Sequence, residues 1–318
     1  MSELFKKTFF RFAEIWRGSG SPRRVIFGLS LAAILMVPNL GYGQGLYGDP
    51  SGTLGRFGGF KLEVGTGSTV NPNLHINNKP VSLTIPQGTF NLTASDTIVK
   101  IRTKQVFLTA TLGLGSSLDA FIKVGHFKAQ DGFDGSNEPS GGLGFRFSPD
   151  QTGRLKMGFL FQAFYASSEN NSYPASINTE FNTDSRGITR SVNATGTGAD
   201  KLRLIQYDGL LSLSVQDIPY VRPYGALLLS YQDRTEKGSF SGQGDLTICS
   251  SISGCQVATG RPMYLSWNTD TFTDSVVGGV FGLSIKPFDR GGINLEGFIG
   301  AGHLGTQYGY TASAFVNF

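Results

Sequence analysis

From residue 59 to the C-terminus, apolar side chains recur at every second position in ten short segments, and after residue 40 no apolar run approaches the roughly 20 residues of a membrane helix. Period two is the spacing of a β-strand, in which successive side chains leave opposite faces of the sheet. Each segment therefore carries one apolar and one polar face. Strands of this kind close into a ring when lipid lies outside, because a closed sheet leaves no backbone edge unpaired. The mean hydropathy of −0.07, with 44 Gly and 25 Phe against two Trp, agrees with an apolar outer face diluted by a polar inner one. The expected fold is all-β: an antiparallel up-and-down transmembrane barrel of about ten strands.

The outward series begins with Phe60, Leu62 and Val64, opposed by Lys61 and Glu63. It continues with Val106 to Leu114, then with Leu118, Ala120, Ile122 and Val124 against Asp119 and Lys123. Leu143, Phe145 and Phe147 oppose Arg146, and Leu155, Met157, Phe159 and Phe161 oppose Arg154, Lys156 and Gln162. Ile205 to Val215 alternates with Gln206 and Asp208, and Val221 to Tyr231 with Arg222, Tyr224 and Gln232. The last three segments set Val277 to Ile285 against Lys286, Ile293 to Ile299 against Glu296, and Tyr308 to Phe318 against Thr311 and Asn317. Val81–Ile85 and Thr89–Leu92 also alternate. They are short for spanning strands, which favours an extracellular hairpin over a twelve-stranded wall.

Connections alternate in length. Short turns follow the even-numbered segments, while residues 67–103, 129–139, 166–201 and 233–273 form long Gly-, Asn- and Ser-rich stretches. Short turns on the periplasmic side and long extracellular loops are the plan of outer-membrane barrels. Asn-x-Ser/Thr matches at Asn91, Asn170 and Asn193 are chance hits if the chain is bacterial.

The N-terminus reads as an export signal. Arg23 and Arg24 precede the apolar run Val25 to Val37, which is broken by Pro38, and Gly41 and Gly43 suit cleavage before Gln44. Residues 1–22 make the basic region long, either as a short helix or because translation starts further downstream. Expected domains are a signal peptide (1–43), a periplasmic tail (44–57) and the barrel (58–318), exported by the general secretory route. Six basic and two acidic residues lie in the leader. The chain's 27 basic and 23 acidic residues thus leave 21 of each sign after cleavage. The basic pI belongs to the leader, and nucleic acid is not an expected partner. Cys249 and Cys255, six apart in CSSISGC, read as a disulfide in an oxidising compartment. No His or further Cys lies near them, and neither metal nor cofactor is expected.

Aromatics provide a second line of argument. Tyr207, Tyr231, Tyr308 and Tyr310 fall at the outer ends of their segments, and Phe60, Phe147 and Phe318 at the periplasmic ends. Two girdles are expected of a lipid-spanning belt. The terminal run Tyr310 to Phe318 resembles the sorting signal of bacterial outer-membrane barrels. LGLGSSLDAFIKVG (112–125) and VRPYGALLLSY (221–231) resemble strands of small OmpA- and OmpW-type proteins. That resemblance implies residence in the outer membrane of a Gram-negative cell among lipid and lipopolysaccharide. It also implies recognition of Phe318 by the barrel-assembly machinery; a monomer is the default expectation.

Three histidines, His75, His126 and His303, limit acid–base chemistry. Omptin proteases, also ten-stranded, use paired aspartates and an Asp–His couple at the rim. Asp131 with Asp134, or Asp270 with Asp274, imitates such a pair, but ordinary solvated carboxylates are the stronger reading. No catalytic residue is assigned. Strand parity directs Lys61, Glu63, Asp119, Lys123, Arg146, Arg154, Lys156, Asp208, Arg222, Lys286 and Glu296 into the lumen, seven basic against four acidic. These groups fit either a salt-bridged plug or a narrow path with mild anion preference. The expected function is accordingly a structural barrel or a narrow, porin-like channel. A loop-borne adhesin or receptor is the alternative, and an omptin-like hydrolase the second.

Overall fold

The computed structural model describes residues 47–76, 79–85, 88–94, 97–130, 136–149, 153–181, 188–250, 254–288, 290–303 and 305–318. The leader 1–43, Asp131 and Asp134 lie outside the described residues. Among those described, the strands are β1 (Phe60–Ile76), β2 (Lys79–Ile85), β3 (Gly88–Ala94), β4 (Thr97–Gly113), β5 (Leu118–Gln130) and β6 (Glu138–Phe147). They continue with β7 (Leu155–Phe181), β8 (Ile188–Val215), β9 (Val221–Ser250), β10 (Gly254–Phe288), β11 (Gly291–Gly302) and β12 (Gly305–Asn317).

Ten of these strands form the wall in the order β1-β4-β5-β6-β7-β8-β9-β10-β11-β12, and β1 pairs with β12 to complete the ring. Every neighbouring pair is antiparallel, and the seam is sealed from Lys61 opposite Asn317 to Val70 opposite Tyr308. The Phe318 amide donates to the Phe60 carbonyl at 2.8 Å, tying the terminal residue into the seam. The alternation places Ile122, Leu143, Leu213, Leu229 and Ile299 on the exposed outer surface, while their sequence neighbours are shielded within.

The hairpin β2–β3 is not part of the wall. Val81 to Thr84 of β2 pair with Trp267 to Tyr264 of β10, above the point where the pairing of β10 with β11 ends at Val277 opposite Ala301. This confirms the ten-stranded ring with a hairpin extension.

The long connections correct the sequence reading. Within these stretches, residues 166–181, 188–201, 233–250 and 254–273 are not loops but paired continuations of β7, β8, β9 and β10. At 27, 28, 30 and 35 residues these strands far exceed the 9–11 that cross a bilayer. Beyond Tyr231, β9 alone continues for about 60 Å of strand. With β2 and β3 the four extensions form a sheet carrying its own core: Leu83, Val192, Ala194, Phe240, Leu246, Met263 and Leu265. Cys249 and Cys255 oppose one another at the β9–β10 tip and are disulfide-bonded, as expected.

This upper core explains how mostly polar segments hold strand structure in water, since burial of a few large side chains offsets the ordering of a hairpin. Phe240→Ala is expected to destabilise the extension by about 3–4 kcal/mol. Amide exchange should accelerate in β8–β10 above residue 235 and stay unchanged in the wall. Equal acceleration in both would show that the two cores unfold together.

Candidate functional site

The lumen is packed through its middle and upper parts. Its middle holds Phe121, Leu160, Leu210, Tyr224, Leu228, Val280 and Phe298, contributed by β5, β7, β8, β9, β10 and β11. Phe127, Ala129, Phe164, Ala166, Leu202 and Leu204 fill the part above, along β5, β7 and β8. A water-filled bore would leave such inward side chains wet, yet Leu160 is 0% exposed and Leu210 1%.

The chain's own N-terminal segment completes the packing, which corrects its assignment as a periplasmic tail. Tyr47 lies in the middle cluster, and its amide donates to Glu296 Oε2 at 2.9 Å. Arg146 Nη2 donates to the Tyr47 carbonyl at 2.8 Å. Ser51 Oγ lies 2.5 Å from Ser214 Oγ, and the Leu54 amide donates to Asp119 Oδ2 at 3.0 Å. Residues 47–54 are thus strapped to β11, β6, β8 and β5. Gly158 makes the approach possible: a Cβ there would stand 2.3 Å from the Ser51 nitrogen and 2.4 Å from the Pro50 carbonyl carbon. No periodicity marks this segment, so the sequence offered no signal for it.

Charges inside so dry a space must be partnered. Lys61 Nζ meets Glu63 Oε2 at 2.9 Å, and Glu63 also accepts from Asn294 at 2.8 Å and from Ser313. Glu296 accepts from the Tyr47 amide, the Tyr224 hydroxyl and Thr311, the last at 3.1 Å. Asp208 accepts from Gln162 and Gln206, both at 2.7 Å. Lys123, Arg146 and Lys61 lie over the rings of Phe107, Phe121 and Phe315. Higher up, Gln232 and Gln307 exchange amide hydrogen bonds of 3.2 Å across the bore, where Gln105 and Gln206 are also fully buried. Strand parity places Gln206, Gln232 and Tyr224 on the inner face, whereas Gln105 and Gln307 were not among the residues read as inward. Buried amides that partner carboxylates and one another are what seal the interior.

Ten of the eleven charged residues directed inward lie within the barrel or at its mouth. Arg154 does not. It stands at the turn, with its side chain 88% exposed, and pairs with Asp217 at 2.8 Å. The end of a strand releases its side chain from the pleat, so parity fails there. A cavity of about 590 Å³ opens at the same end, lined among others by Lys61, Lys286, Arg290, Arg56 and Asp49, and the tail residues Gly52 to Leu54 form one of its walls.

Of the rim residues weighed for a protease, the side chains of Asp274, His126 and His303 are described. Asp274 is buried and accepts from the backbone amide of His303 at 2.7 Å, while the His303 side chain is exposed. His126 faces outward. Nothing is described of the side chains of His75 and Asp270.

Tyr207, Tyr231, Tyr308 and Tyr310 stand exposed at the upper edge of the apolar surface, and Phe147 and Phe318 at the lower. Tyr207 and Tyr231 contact across β8–β9 with ring centroids 6.4 Å apart, and Phe60 meets Phe318 at 6.0 Å. Tyr165 and Tyr220, also exposed, had been omitted from these girdles. A closed, even-numbered antiparallel ring with an apolar belt between aromatic girdles is an integral β-barrel of the bacterial outer membrane.

No protein-family model matches the chain, and no curated protein matches it in sequence. Among solved structures it is similar to the outer membrane protease OmpT from Escherichia coli (TM-score 0.40, 9% identity, 82% of this chain and 95% of that one). It is also similar to the outer membrane protein OprG from Pseudomonas aeruginosa (0.32, 10%, 83% and 97%). A third likeness is to Ail, the attachment invasion locus protein of Yersinia pestis (0.30, 8%, 82% and 99%).

Proposed function

We propose that the protein is a closed barrel that anchors a rigid, β-built binding head outside the cell. The observation that carries this reading is the pairing of a dry lumen with a second hydrophobic core above it. A pore has no use for an apolar plug. A passive cap needs no long, disulfide-tipped sheet with an interior of its own. Rigid sheets hold a recognition surface at a fixed distance from the membrane, which supports an adhesin or receptor role over catalysis.

Two measurements test the reading. The refolded chain in a planar bilayer should give no discrete conductance, and steady single-channel steps would overturn the closed-barrel half. Residues 237–268 can be excised and the register kept, because Glu236 and Thr269 pair directly across β9–β10. The shortened protein should keep its heat-dependent gel mobility and lose attachment of cells to surfaces or matrix. Attachment that survives intact would overturn the binding half.

A narrow, mildly anion-preferring path is the second reading, favoured by the basic cavity at the periplasmic mouth. It requires the strapped segment 47–54 to leave the bore.

A further inference from the structure

The cavity at the periplasmic mouth carries features that neither the wall nor the head requires. Its volume of about 590 Å³ falls within the roughly 300–1,000 Å³ of small-molecule sites. The packed middle of the bore lies above it, so with the strap in place the cavity is a pocket rather than a passage. Three cations reach it from separate parts of the chain: Lys286 from β10, Arg290 from the turn before β11, and Arg56 from the stretch ahead of β1. Arg56 donates to the Phe318 carbonyl oxygen. Lys286 lies over the Phe315 ring at 5.7 Å and stands in the field of Arg222, Lys61 and Lys156. Asp49 of the strap supplies negative charge against them.

Lys61 is neutralised by Glu63 at 2.9 Å, whereas among the described residues no salt bridge joins Lys286 to a carboxylate. The same wall is short of donors. Asp49 Oδ1 accepts from the Ser51 amide at 2.9 Å and from its hydroxyl at 2.7 Å, but the buried Oδ2 has no partner among the described residues. Asn317 Oδ1, brought to the cavity by β12, is unpartnered in the same way. Gathered cations are relieved by an anion, and a buried acceptor is relieved by a donor. A ligand that answers both carries a negative group and hydroxyls.

We propose that this cavity binds a small hydroxylated phosphoester, its phosphate held among Lys286, Arg290 and Arg56 and its hydroxyls donating to Asp49 and Asn317. A phosphate offers three oxygens to donors arriving from three directions, where a carboxylate offers two. A bare inorganic anion would leave both acceptors unmet. Two sources present this chemistry at the periplasmic mouth, a soluble sugar phosphate and the headgroup of phosphatidylglycerol. Because Asp49 belongs to the strap and Lys286 to the wall, the bound ligand ties one to the other. The site faces the periplasm and is independent of the head.

The test titrates the full refolded chain in detergent with glucose 6-phosphate, inorganic phosphate and glucose, read by calorimetry. A parallel arm compares unfolding temperatures in phosphatidylcholine vesicles with and without phosphatidylglycerol. Glucose 6-phosphate should bind about tenfold more tightly than inorganic phosphate, and glucose should not bind. Lys286→Gln with Arg290→Gln should weaken binding about fiftyfold. Arg154→Gln, at the exposed turn of the same end, should leave it unchanged. Asp49→Asn sets an amide donor where an acceptor stood, so it should weaken the sugar phosphate about tenfold and leave inorganic phosphate no weaker. Heat-dependent mobility of each variant verifies that the barrel has formed. Stabilisation by phosphatidylglycerol alone, abolished in the double variant, would support the site and identify the lipid headgroup as its source. No response to either phosphoester, inorganic phosphate bound as tightly as the sugar phosphate, or an unchanged double variant would each overturn the proposal.

Discussion

Glu296→Ala is expected to lower the stability of the barrel by about 3–5 kcal/mol, measured by urea unfolding in lipid vesicles. Glu296 accepts from the Tyr47 amide, the Tyr224 hydroxyl and Thr311, and all four residues are buried. Alanine strands three donors where water cannot replace the acceptor, and the penalty for an unmade buried hydrogen bond exceeds the net gain from making one. Glu296→Gln keeps an acceptor oxygen of the same reach and should recover part of the loss. If alanine and glutamine are equally mild, water reaches Glu296 and the bore is wetter than its packing implies.

The second large effect concerns the tail. Gly158→Val places side-chain atoms where the backbone of Pro50 and Ser51 passes, and neither the wall nor the tail backbone can yield by more than an ångström without losing hydrogen bonds. The strap should leave the bore. A cysteine at position 51, shielded in the parent, should then react with a small maleimide on the order of a hundredfold faster. The wall pairs through its own strands and should keep its heat-dependent mobility. Unchanged labelling would mean that β7 bulges to admit the side chain, and that the strap is held more firmly than the wall beside it. The same variant separates the two readings of the lumen. A released strap without conductance leaves the apolar cluster as the plug, whereas new conductance would make the strap itself the closure.

Glu296 was legible as an inward residue from parity alone, but its partner Tyr47 was not. Contacts within the wall repeat with period two and appear in the sequence as alternation. A contact between the tail and β11 spans 249 positions and repeats nowhere. The extensions failed for a different reason. Above the membrane both faces of a strand can meet water, so the apolar belt that betrays a spanning strand is missing. The signal that remained was faint: Val192 with Ala194, Met263 with Leu265, and Leu83, each on a single parity, which now prove to be one core.

The sequence by itself determined the ring of ten strands, which side chains face lipid, where the girdles fall and, Arg154 apart, which charges turn inward. Each of these follows from local alternation in a medium that tolerates no unpaired backbone. Only the tertiary structure decided whether the inside is a path or a plug. Closure depends on distant segments meeting in the bore, on Gly158 leaving room for Ser51, and on carboxylates finding amides and hydroxyls across the barrel. Alternation specifies a wall, and long-range packing fills it.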